Sequence, residues 1–177
     1  MLGTLITSKT RIKLLLKFFL NSNNTAYLRS LEPEFGESTN AIRQELNRFE
    51  DAGLLVSLSE GNKKIYKANT KHPLFPEING LLMKHIGLDK IIEKVVNKLG
   101  QLKAVYLVGE LAKGKNSKVI DLWFVGDKID KKYLLDLMEK AEQMINRKIR
   151  YIILDDKERQ DFLSTNNKNE FLLLWES

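Results

Sequence analysis

Two of the chain's three prolines, Pro73 and Pro76, fall within four residues of each other. Neither a helix interior nor a central strand accommodates such a pair, because each proline removes a backbone donor. Before the pair, apolar residues recur at spacings of three and four and end in a hairpin pattern. After it, continuous apolar runs alternate with helical stripes. At 177 residues the chain stands between one domain and two small ones. The bridge is therefore read as a joint. It predicts a first domain over residues 1–70, a helical linker over 71–100 and a second domain over 101–177.

In the first segment, Ser8 is placed to cap a helix with Ile12, Leu15, Leu16, Phe19 and Leu20 on one face. The run Asn21 to Asn24 ends it. A short second helix is predicted from Thr25 to Leu31, with Tyr27, Leu28 and Leu31 inward and a break over Pro33 to Gly36. Ser38 caps a third helix whose stripe is Ala41, Ile42, Leu46 and Phe49, with Gly53 as its stop. Leu54–Leu58 and Lys64–Lys67 then read as two strands around a turn over Ser59 to Asn62.

Past the bridge, helices are predicted over Glu77–Ile86 and Leu88–Leu99, parted by Gly87. The second carries an apolar stripe of Ile91, Ile92, Val95, Val96 and Leu99, which together with the first helix is a candidate dimer surface. Strands follow at Lys103–Val108, Val119–Val125 and Lys148–Leu154. A turn over Gly109 to Gly114, a helix over Lys131–Ile145 and a charged helix from Asp155 to Leu163 complete the pattern. The apolar run Phe171 to Trp175 reads as a cover for the sheet or a contact surface. The fold class expected is α+β: a helical domain with a hairpin, followed by a small α/β domain.

Composition closes off several chemistries. With no cysteine, disulfides, thiolate metal sites and cysteine nucleophiles are excluded. The only histidines are His72, in the bridge, and His85, which has no second ligand at a suitable spacing, so no metal and no cofactor is expected. The N-terminal apolar run is cut by Arg11, Lys13 and Lys17, which argues against a membrane span or a cleaved leader and for a cytoplasmic location. Lys and Arg number 29 against 23 Asp and Glu, a net charge of +6. That excess is shared evenly between the halves and permits a polyanionic partner.

On the outer face of the third helix lie Ser38, Thr39, Asn40, Arg43, Gln44 and Asn47, with Lys63 and Lys64 at the hairpin tip. Asn, Gln and Arg can bond base edges, and Ser or Thr can hold phosphate at a helix start. The same residue types also suit a solvated helix face, and helix–hairpin units occur in protein-binding modules. The run from Ser8 to Asn69, and NAIRQELNRFEDAGLLVS within it, resembles the winged-helix domains of the bacterial arsenical-repressor-like superfamily. That resemblance implies a winged helix-turn-helix that reads double-stranded DNA, and a homodimer is expected because one short recognition helix rarely discriminates enough alone. The metal-binding cysteines of the arsenical sensors are absent, so metal sensing is not implied.

The segments KHPLFPEI and VYLVGELAKGKNSKVIDLWFVGD resemble bacterial regulators that fuse a winged helix to a minimal nucleotidyltransferase domain of the polymerase-beta type. Active members carry Gly-Ser after a strand, an Ala-Arg-Gly turn, an Asp-x-Asp pair on the next strand and a third acid later, which together hold paired Mg²⁺ ions. Here Gly109 stands in place, Glu110 replaces the serine, and Ala112, Lys113 and Gly114 answer the turn. Asp121 matches the second acid, Val119 occupies the first, and Arg150 and Tyr151 stand where the third is sought. The resemblance thus implies a vestigial nucleotide site of Gly109, Glu110, Lys113, Gly114 and Asp121. A strand-end Asp121 bonding a neighbouring turn, and a solvated loop of Lys113, Lys115 and Lys118, are the plainer readings. The function expected is a DNA-binding transcriptional regulator, not an enzyme, whose second domain binds a nucleotide or protein effector or supports the dimer. The alternatives are an active Mg²⁺-dependent nucleotidyltransferase with a docking winged helix, and a protein-interaction winged helix without DNA binding.

Overall fold

The computed structural model describes residues 2–96, 99 and 101–177. It divides into two compact units, Met1–His85 and Ile86–Ser177. Instead of standing apart, the expected linker over 71–100 is divided between them.

The first unit contains helices Leu2–Leu5 (α1) and Lys9–Leu15 (α2), the latter widening into a π turn at Leu16–Leu20. Next come a strand at Thr25–Tyr27 (β1) and helices Leu28–Phe35 (α3) and Thr39–Asp51 (α4). The hairpin Leu55–Glu60 (β2) and Lys63–Ala68 (β3) leads to a helix at Phe75–Ile86 (α5). Ser8 caps α2 by accepting the Arg11 N–H at 3.2 Å, and Ser38 caps α4 by accepting the Ala41 N–H at 3.2 Å. Leu14, Phe18, Phe19, Leu31, Ile42 and Leu46 form the buried centre.

Three expectations are corrected here. Thr25–Tyr27 is not helical: it pairs antiparallel with β3, Ala26 opposite Tyr66, and makes the order β1-β3-β2. A hairpin alone is marginal, and a third strand satisfies the open edge of β3. Pro33 does not break the second helix but lies inside α3, which ends only where Gly36 adopts φ +63°. The first-helix face proposed for a dimer surface is interior, with Leu15, Leu16, Phe19 and Leu20 all buried. Helix α5 also begins two residues earlier than expected, with Pro76 in its first turn, where a missing N–H costs no hydrogen bond. It is fastened by Asn79, whose amide donates to the carbonyls of Phe19 and Leu20 at 2.8 and 3.2 Å.

In the second unit, Leu88–Val96 (α6) precedes the strand Leu102–Val108 (β4), a short helix Gly109–Ala112 (α7) and the strand Val119–Gly126 (β5). Lys131–Ile145 (α8), Lys148–Leu154 (β6), Asp156–Thr165 (α9) and Phe171–Glu176 (β7) follow. The sheet order is β6-β5-β4-β7; only β5 and β6 run parallel, joined by the crossover helix α8. One face packs Tyr106, Val108 and Val125 against Trp123, Phe162 and Phe171. Alternation turns Ile120, Leu122 and Phe124 to the other face, and all three are buried.

Two further expectations change. Ile91 and Val95 are fully buried, and α6 packs on α8, so this stripe is core of the second unit and not an open dimer surface. Residues 97 and 98 of that expected helix, and residue 100 of the expected linker, lie outside the described residues. The run Phe171–Trp175 is neither a cover nor a loose surface but part of β7, which closes the second edge of β4. Among the described residues no helix is long and apolar enough to cross a membrane.

Glu45 shows how charge is used inside the first unit. It is 6% exposed, and its carboxylate accepts from Arg11 at 2.9 and 3.1 Å and from Arg48 at 3.0 Å. Burial by itself raises the Glu45 pKa, but the Arg11 hydrogen bond and the charges of Arg11 and Arg48 outweigh it and bring it below the ordinary value. A carboxyl depressed on folding stabilises above its unfolded pKa of about 4.3, and that stabilisation is lost as pH falls through the folded value. Glu45→Gln is expected to cost about 1–3 kcal/mol at pH 7. Denaturant unfolding at pH 7 and pH 3 should show the difference between variant and wild type shrinking at the acid end.

Candidate functional site

Strand β4 ends at Val108, which faces Asp121 of β5 across the antiparallel ladder. The chain leaves the sheet through Gly109, at φ +71°, where a Cβ would lie 2.5 Å from the Asp121 Oδ2. Both the left-handed backbone and the close approach demand glycine. Helix α7 then turns back: the Gly114 N–H donates to the Leu111 carbonyl at 2.9 Å, and Gly114 takes φ +76°. Glu110 is ion-paired to Lys115 at 3.2 Å and Lys113 to Glu170 at 3.6 Å. Gly109 and Asp121 are therefore in direct apposition, with Glu110, Lys113 and Gly114 on the same short turn.

Asp121 and Arg150 are register partners on the parallel strands β5 and β6. Arg150 Nε donates to Oδ1 at 2.6 Å and Nη2 to Oδ2 at 3.0 Å, a fork on both carboxylate oxygens. The Asp121 hydrogen bonds raise the Arg150 pKa further above its already high value. A cation thus stands where the polymerase-beta-type resemblance places an acid. Among the described residues, no group of three His, Asp or Glu side chains could hold a metal ion. The donor set does not fit a pair of Mg²⁺ ions: Val119 offers no ligand, Glu110 is turned to Lys115, and Asp121 is held by Arg150.

In the first unit, Asn40, Arg43, Gln44 and Asn47 lie exposed on α4. Ser38 is occupied as a cap, and Thr39 donates to Glu32 at 2.6 Å. Arg43, Asn47, Lys63 and Lys64 come together with Arg29 and Tyr66 around a cleft of about 470 Å³; Ser38, Thr39, Asn40 and Gln44 are not among its lining. Lys64 bonds Glu50 at 2.6 Å, which raises the Lys64 pKa and lowers that of Glu50. Lys63 lies 4.6 Å from the centre of the Tyr27 ring. Arg29 is the residue that sequence reasoning missed, because its place depends on Thr25–Tyr27 being a strand.

The remaining candidates are structural. His72 Nδ1 accepts the Leu74 N–H at 3.1 Å. Trp123 packs on Phe162 with centroids 4.0 Å apart, and Phe124 meets Tyr151 edge-on. Lys118 lines a separate hollow of about 310 Å³ with Arg147, Lys148 and Glu142. Burial lowers the Arg147 pKa there, and its guanidinium donates to the Ser117 carbonyl.

No protein-family model matches the chain, and comparison with characterised proteins finds none similar. Among solved structures, the chain is similar to a candidate nucleotidyltransferase from Sulfolobus solfataricus, with 25% identity over 56% of this chain and 86% of that one and a TM-score of 0.37. It is also similar to a mutant of the MntA–HpeT toxin–antitoxin, with 20% identity over 51% and 72% of the two chains and a TM-score of 0.40. A toxin–antitoxin solved with AMP-PNP matches at 20% identity over 50% and 73%, with a TM-score of 0.39. These neighbours overturn two expectations, that of a DNA-binding transcriptional regulator and that of a protein without enzymatic activity. At such TM-scores no residue of this chain takes a role from them.

The corner makes Gly109 a sharp test. Gly109→Ala is expected to cost about 1–2 kcal/mol for the left-handed backbone alone, and more because the new methyl would press on Asp121. Gly61→Ala is the control: Gly61 also has a positive φ, of +58°, but nothing lies within 4 Å of an added Cβ. Equal losses in denaturant unfolding would show that the Gly109–Asp121 contact contributes nothing.

Proposed function

We propose that the chain is a nucleotidyltransferase-type protein whose second unit handles a nucleoside triphosphate at the corner between β4 and β5. The observation that carries this reading is the Gly109–Asp121 apposition, with cationic side chains on the neighbouring turn and strand. A turn without a Cβ lets backbone N–H groups approach phosphate closely. Lys113, Lys115 and Arg150 stand beside it, paired to Glu170, Glu110 and Asp121. In the reaction an acceptor hydroxyl attacks the α-phosphorus and gives its proton to water, the bond to the bridging oxygen breaks, and pyrophosphate leaves with the electron pair. Gly109, Lys113, Gly114 and Asp121 are the nucleotide-site residues in this reading. No step is assigned to carboxylate-held metal ions.

The first unit is, in this reading, a winged helix that docks the acceptor. Three helices followed by a hairpin, with β1 closing the small sheet, support that description. Arg43, Asn47, Lys63 and Lys64, joined by Arg29, give its cleft a cationic lining suited to an acidic acceptor surface. The units Met1–His85 and Ile86–Ser177 then act as docking and transfer domains.

Incubating the purified protein with each α-³²P-labelled nucleoside triphosphate, Mg²⁺ and separate pools of cellular RNA and protein tests the reading. Label from at least one nucleotide should enter one pool, and Asp121→Asn should reduce transfer to background. Absence of transfer from all four nucleotides into both pools would overturn it.

A further inference from the structure

The side chain on Asp121 belongs to a residue that the nucleotidyltransferase resemblance does not use. Arg150 is 73% exposed at its side chain while Asp121 is 19% exposed, so the carboxylate is half sunk in the corner and the guanidinium lies over it facing solvent. Two of the five guanidinium N–H groups are spent on Asp121, which leaves three for another acceptor. Phosphate presents the same paired-oxygen geometry as carboxylate and competes for the same fork. Arg150 is the solvent-facing member of the pair, so an incoming anion reaches its remaining donors without entering the corner.

Resting on the reading of this corner as a nucleotide site, we infer that Arg150 binds the nucleotide's phosphates directly and takes the place of a divalent ion in doing so. A metal ion in such a site neutralises carboxylates and then bridges them to phosphate. Arg150 already neutralises Asp121, and it carries its remaining donors to the solvent side. The Val119 side chain adds no negative charge, and Glu110 is paired with Lys115. The site therefore presents a guanidinium, not a carboxylate pair, to an incoming ligand. The ligand class is a nucleoside triphosphate as the free anion, and Asp121 holds the guanidinium on the sheet until that anion arrives.

The experiment is calorimetric titration of ATP into the full chain, in EDTA and again in Mg²⁺. The wild type should bind ATP in EDTA within about threefold of its affinity in Mg²⁺. Arg150→Ala should weaken binding in EDTA about tenfold or more, and Arg150→Lys, which keeps the charge but loses the fork, should fall between. Asp121→Asn should bind ATP more tightly than wild type, because it releases the guanidinium, even though it is expected to lose nucleotidyl transfer. ATP binding that requires Mg²⁺ and is unchanged in Arg150→Ala would overturn the inference and leave the nucleotide site standing. No binding of any of the four nucleoside triphosphates to the wild type in either condition would overturn both.

Discussion

Strand β4 is hydrogen-bonded on both edges, and every side chain from Ala104 to Val108 is buried. Backbone groups so deeply placed must be paired, so the strand cannot fray or bend before its last residue. The chain is carried straight to Val108 and must leave the sheet in one step. Because Val108 is in register with Asp121, that step passes over a carboxylate, and only glycine fits. The parallel register of β5 and β6 then sets Arg150 beside Asp121. The candidate site is thus a consequence of where one buried strand is forced to end.

Formal charge and usable charge differ in the first unit. Glu45 and Glu50 subtract from the basic field when residues are merely counted. In the fold, Glu45 is buried between Arg11 and Arg48, while Glu50 holds Lys64 and the Ser57 hydroxyl, tying α4 to the hairpin. Glu50 thus ties a cleft residue, Lys64, to α4, while Glu45 and its two arginines lie outside the cleft lining. The cleft lining then holds Arg29, Arg43 and Lys63 beside the Glu50-paired Lys64, a set brought together only by the fold.

Elements with a strong signal of their own were legible before folding. Helix α8 and strand β6 have the limits that their apolar patterns predict, and Ser38 marks the start of α4. Thr25–Tyr27 was not legible, since three residues carry no period and become a strand only because β3 offers an edge. The stripe on α6 was read as a dimer surface because an amphipathic helix does not say what covers it; α8, more than 30 residues away in sequence, does. In the corner, Gly109 and Asp121 stand where the motif resemblance named them, and the fold brings the two together. The Arg150 fork was not legible, because it depends on a register set across the whole α8 crossover.

A corner built with three carboxylates would carry three negative charges, attract divalent cations strongly and repel a bare triphosphate. This corner sets one carboxylate against one guanidinium, so the pair is neutral. Neutrality removes both the attraction for cations and the repulsion of anions. Burial makes the exchange asymmetric. Asp121 is packed under Gly109 and cannot move far, whereas Arg150 reaches it from the solvent side on a flexible stem. An approaching anion therefore meets the movable member of the pair first. Charge in this corner is thus balanced by one guanidinium on one carboxylate.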